Sequence, residues 1–98
     1  MPDNKVILLV EATVKPEHRH LIVAVANESL PLTAAEPGVE VFYQTVRQED
    51  PNRLVFFEVF RSEAAHDFHM QQEYTRKVFK ALEGRLDAPP AVTRLTEL

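Results

Sequence analysis

The 98-residue chain has no cysteine, no tryptophan and only two glycines, Gly38 and Gly84. Without cysteine there is no disulfide framework, no thiolate metal centre and no thiol nucleophile, and the composition fits a reducing compartment. Two glycines so placed cannot write a GxGxxG fingerprint or a P-loop, so nucleotide cofactors held by those devices are excluded. No apolar run approaches the roughly 20 residues that span a bilayer. The N-terminal MPDNKVILLVEA is acidic rather than basic before its short apolar run and has no cleavage pattern after it. The expectation is a cytoplasmic protein with no membrane partner. Charge of one sign is also scarce in any one place: 11 Lys and Arg stand scattered against 15 Asp and Glu, for a net charge of -4. No continuous phosphate-binding stripe results, and nucleic acid is not an expected partner.

What is present is a 45% hydrophobic chain, long enough for one core and too short for two, so residues 1–98 are read as one domain. Lys5 to Val14 is almost continuously apolar and β-branched, the pattern of a central strand. Pro16 and Glu17 suit a helix start, and a helix is expected from about Glu17 to Ala35 with Pro31 bending it. Leu21, Ile22, Val25, Ser29 and Leu32 form its expected stripe. Glu36–Pro37–Gly38 makes a turn. Val39 to Arg47 and Leu54 to Arg61 then read as two strands of period two, joined through Asp50, Pro51 and Asn52 as an antiparallel hairpin.

Ser62 is a good N-cap, and a second helix is expected from Glu63 to about Leu86, with a jog near Gln71 to Glu73 where polar residues interrupt the stripe of Ala65, Phe68, Val78, Phe79 and Leu82. Gly84, Pro89 and Pro90 end it, and Ala91 to Leu98 is a final strand. The order βαββαβ is the split βαβ arrangement of an α+β, ferredoxin-like fold with an antiparallel sheet. Helices can cover only one sheet face. The apolar residues left on the other predict a homodimer.

His66 and His69, three apart on a helix, share a face and can point into one cavity. With Glu63 and Glu73 they invite a metal reading, but one helix face is not a coordination sphere and HExxH spacing is absent, so no metal is assigned. A metal-free role as general base or acid remains, since imidazole titrates near neutrality; surface histidines are the plainer alternative. His18 and His20, two apart, point away from each other and read as surface. Glu58, inside FFEVF, must face solvent, pair with a residue such as Arg47 or Arg61, or have its pKa raised. By period two it shares a face with Leu54, Phe56 and Phe60. Tyr43 and Tyr74 are the phenols available to a polar substrate, with core packing as their usual role.

Three segments resemble the antibiotic biosynthesis monooxygenase (ABM) family. Glu36–Pro37–Gly38–Val39 looks like its EPGC turn, Glu49 to Arg53 like its EDPNR connector, and Phe57 to Ala65 followed by His69 like its YEVWxSxEAxxxH block. The resemblance implies a dimeric α/β barrel whose subunits each hold a pocket between sheet and helices. It also implies chemistry such as cofactor-independent oxygenation of quinols and polycyclic phenols, haem breakdown, or isomerisation of a phosphorylated sugar. Aligned on that pattern, His69 and His66 are candidates for proton transfer, Phe56, Phe60 and Phe68 for pocket walls, and Glu58 or Tyr74 for orienting the substrate. Phe60 replaces a frequent Trp, and Tyr74 a frequent second histidine. In the haem-degrading branch the place of His69 is typically Trp and that of Phe79 the axial histidine, so haem degradation is disfavoured. The implied activity is a cofactor-independent monooxygenase acting with molecular oxygen on a quinol-like or polyphenolic small molecule. An isomerase or proton-transfer enzyme and a non-catalytic dimeric binding domain stand as alternatives.

Overall fold

A computed structural model describes residues 4–98; the first three residues of the N-terminal stretch lie outside it. Strand β1 (Val6–Thr13) leads through a 3-10 turn at Pro16–His18 into helix α1 (Arg19–Ala34). Strands β2 (Val39–Arg47) and β3 (Asp50–Phe60) follow, then helices α2 (Glu63–Gln71) and α3 (Glu73–Leu82) and a last strand β4 (Ala91–Leu95). All pairings are antiparallel and the sheet order is β2-β3-β1-β4, the ferredoxin-like order. The β-branched first strand is central, flanked by β3 and β4.

Strict alternation puts Val6, Leu8 and Ala12 of β1 and Leu54, Glu58 and Phe60 of β3 on the buried face, under the helices. Burying Phe60 completely stabilises the fold by roughly 2–3 kcal/mol. Two irregularities break the expected period. A register shift between Val39 and Val41 turns Val39 to the face of Phe42, where it packs on Phe60. The second is at the hairpin: Arg47 pairs with Asp50 and Val46 with Leu54, so Pro51, Asn52 and Arg53 bulge out of the β2 ladder instead of forming the turn. β3 therefore starts four residues earlier than the sequence suggests. Asp50 Oδ1 accepts the Asn52 amide at 3.1 Å, closing the bulge locally.

Helix α1 carries Pro31 inside it, and its buried stripe is Ile22, Ala26, Ser29 and Thr33. The larger Leu21 and Leu32 are instead 45% and 51% exposed. Small residues face inward because α1 runs beside α3, where Ala81 is also buried. The second helical region is two helices. Ser62 Oγ caps α2 by accepting the Ala65 amide at 3.1 Å, and Gln72 at φ -71°, ψ 143° is extended, which ends α2 and begins α3. Helix α3 ends at Leu82, four residues short of the expected end, and Gly84 at φ 71° then turns the chain. No described helix is long and apolar enough to cross a membrane.

Candidate functional site

Between the inner sheet face and the three helices lies a cavity of about 340 Å³. Its floor is Leu8, Val10, Phe42, Gln44, Phe56 and Glu58; α1 contributes Ser29 and Thr33, and α2 and α3 contribute His66, His69, Met70, Thr75 and Phe79. Pro90, Val92 and Arg94 border the exposed edge of the cavity next to β1. The volume is at the lower end of small-molecule sites, and the lining is mainly apolar with few polar groups, as such sites require.

His69 is the buried residue of α2, 5% exposed, with its ring against both Phe42 and Phe60 at centroid distances of 5.4 and 5.2 Å. Its Nδ1 lies 2.8 Å from Glu36 Oε2, and Thr75 Oγ1 stands 3.4 Å from the same nitrogen. The Tyr74 hydroxyl donates to that Glu36 oxygen at 2.6 Å. Burial, and then this bond, raise the Tyr74 pKa and keep its proton in place. A carboxylate accepting from Nδ1–H fixes the tautomer in which Nε2 is bare, and among the described residues Nε2 has no hydrogen-bond partner. The second Glu36 oxygen, Oε1, is buried and unpaired, as is Gln44 Oε1 in the cavity floor.

The break at Gln72 builds this cluster. On one continuous helix, residues five and six beyond His69 would be rotated by roughly 140° and 240° from it. The extended residue swings Tyr74 and Thr75 back to the imidazole and to Glu36.

Glu58 is 7% exposed and has no hydrogen-bond or ion-pair partner among the described residues. Burial pushes its carboxyl from the ordinary 4.5 up to about 7. Arg47, a partner considered for it, pairs instead with Glu11 at 3.3 Å and Glu49 at 3.6 Å. Arg61 is exposed. His66 is half-buried, its ring 5.0 Å from that of Phe60. Desolvation lowers its pKa, opposed by Glu63 and reinforced by His69 and Arg94, so it is neutral at neutral pH.

The cavity thus brings together His66, His69, Glu58 and Phe56. It does not take in the others. Phe60 is fully buried behind the imidazoles rather than at the surface of the void, and Tyr74 reaches Glu36 instead. Phe68, 51% exposed, and Tyr43, 63% exposed, lie outside: Phe68 precedes His69 on the outer side of α2, and Tyr43 falls on the sheet face opposite Phe42. His18 and His20 are also outside it. Among the described residues no three His, Asp or Glu side chains gather as a metal site.

Sequence reasoning missed Glu36, Thr75, Phe42, Gln44 and Arg94. The available signal for Phe42 and Gln44 was their alternation on β2; for Glu36, 33 residues from His69, there was none in the spacing.

The same architecture recurs in known proteins. The Mycobacterium tuberculosis protein Rv0793 is 26% identical, with a TM-score of 0.87 over 96% of this chain and 95% of that one. The crystal structure of an antibiotic biosynthesis monooxygenase superposes with a TM-score of 0.88 at 22% identity, over 95% of this chain and 98% of the other, a likeness of fold. An uncharacterized Synechocystis protein, sll1783, is 28% identical over 90 residues; these are 92% of this chain, which spans only 61% of the relative's length. The profile of the antibiotic biosynthesis monooxygenase family matches residues 5–81, from β1 into α3, and the chain belongs to that family.

Proposed function

We propose that the protein is a cofactor-independent monooxygenase that oxidises a quinol-like or polyphenolic small molecule, with His69 as general base. The observation that carries this reading is the His69 ring inside an aromatic-walled cavity, its Nδ1 engaged by Glu36 and its Nε2 unengaged. In that tautomer Nε2 can accept a phenolic proton, and Glu36 stabilises the imidazolium that forms. The phenolate or quinol anion, now electron-rich, supplies electrons to oxygen itself. For a quinol with one free ring position the balance closes: the ring C–H becomes C–OH, the quinol becomes a quinone, and the second oxygen atom leaves as water. All four electrons come from the substrate, so the reaction needs no cofactor.

Glu58, with its pKa near 7, is half protonated at neutral pH and suited to return a proton to the departing oxygen. Phe42 and Phe56 orient the ring and exclude water, and His66, neutral and beside the same void, is a second acceptor. Phe60 and Tyr74 support the site by packing behind His69 and by holding Glu36. Oxygen uptake with a reduced naphthoquinol is expected, falling at least tenfold in His69→Ala. Equal rates in the variant would remove His69 from the mechanism.

A second reading shares the pair of proton-transfer groups Glu58 and His69: isomerisation of a small oxygenated metabolite by proton abstraction and return. Solvent deuterium entering the substrate without oxygen consumption would single it out. A binding domain without chemistry would hold its ligand in the same cavity, and ligand binding with neither oxygen uptake nor deuterium entry would single it out.

A further inference from the structure

Arg94 is the only lysine or arginine among the residues lining the cavity. It sits on β4, and its register partner Leu8 is also the partner of Glu58. Arg94, Leu8, Glu58 and Phe42 thus form one row across the sheet, with Arg94 and Glu58 two strand spacings, roughly 10 Å, apart. The cation stands at the mouth, its side chain 55% exposed, while the carboxyl is sealed in the floor. Arg94 donates to Glu63 in the first turn of α2. Both partners of that pair are more than half exposed, and such pairs contribute little. An incoming anion therefore displaces Glu63 at small cost. The guanidinium fork is planar and matches a carboxylate through two parallel bonds.

Building on the phenol-oxidation reading above, we propose that the substrate is an aromatic hydroxy acid, its carboxylate bound by Arg94 in place of Glu63 and its hydroxyl directed to Glu58 and His69. A fused-ring body fills the apolar span between the two ends. β4 lies beyond residues 5–81, so this recognition belongs to a part of the chain outside the family match.

The test is a fluorescence titration of the whole chain with two probes, 6-hydroxy-2-naphthoate, whose hydroxyl and carboxylate lie at opposite ends of the fused rings, and the neutral 2-naphthol. Wild type should bind the acid at least tenfold more tightly than 2-naphthol. Arg94→Gln should lose that preference while holding 2-naphthol within twofold, Arg94→Lys should retain part of it, and Glu63→Gln should tighten the acid alone. If wild type binds 2-naphthol but does not favour the acid, or if Arg94→Gln weakens both probes equally, the carboxylate assignment is overturned and the phenol reading stands. Binding of neither probe to wild type would overturn both.

Discussion

A carboxyl group without a partner on the floor of an apolar cavity makes the stability of the protein depend on pH. The folded Glu58 carboxyl titrates at about 7 and the unfolded one at its ordinary 4.5, so between these values only the folded state holds the proton. The contribution is intact below pH 4.5 and is lost as pH rises to 7, a change of about 3 kcal/mol at most. Glu58→Gln, neutral throughout, should flatten this profile and be more stable than wild type at pH 8, as read from urea unfolding at pH 5 and pH 8. Equal pH dependence in both proteins would refute the assignment. Glu36 acts on the substrate only through His69. Glu36→Gln can present its amide to Nδ1 and so move the ring proton to Nε2, which removes the base; kcat should fall about 100-fold with KM little changed. At this scale the sequence displayed His66, His69 and Glu58, because their chemistry stands out in an apolar context. It concealed Glu36, whose contact with His69 is made by the tertiary fold.

The elements form where caps, breaks and close contacts put them. At Gly38 an added Cβ would lie 2.4 Å from the Ala65 Cβ, so the start of β2 and the first turn of α2 touch through a missing side chain. Gly38→Ala should cost about 1–3 kcal/mol by overpacking. Combined with Ala65→Gly it should cost less than the two single changes added together, a coupling that thermal denaturation of the four proteins measures; strict additivity would place the strain elsewhere. Element order, the Ser62 cap and the disturbance near Gln72 were legible in the sequence, since each has a local cause. The buried face of α1 was legible only in part: Ile22 and Ser29 of the expected stripe are buried, but its large residues Leu21 and Leu32 are exposed, and packing beside α3 selects Ala26 and Thr33 in their place. The bulges at Glu40 and at Pro51 to Arg53 were equally hidden, because a register shift depends on the partner strand.

For the whole molecule, the outer sheet face is the surface that bears on assembly. Alternation places Ile7, Leu9, Val41, Val55 and Phe57 there, with no helix over them, and Tyr43 on the same face is 63% exposed. A homodimer burying this face is expected, sedimenting at twice 11.2 kDa. Phe57→Glu should reduce the mass to that of one chain, and a monomeric wild type would show that the face is stable in water. Ferredoxin-like topology was readable from the order of elements, and a pocket between sheet and helices from the family resemblance alone; its lining was not readable, since it is set by how three helices stand off one sheet.

On the proposed mechanism His69, held by Glu36, removes a phenolic proton inside the cavity. Absorbance of 1,4-naphthoquinol bound anaerobically at pH 7 reads that step directly. The ionised quinol spectrum should appear on wild type and be lost on His69→Ala and Glu36→Gln; a neutral spectrum on wild type, or an unchanged anion on both variants, would contradict the account.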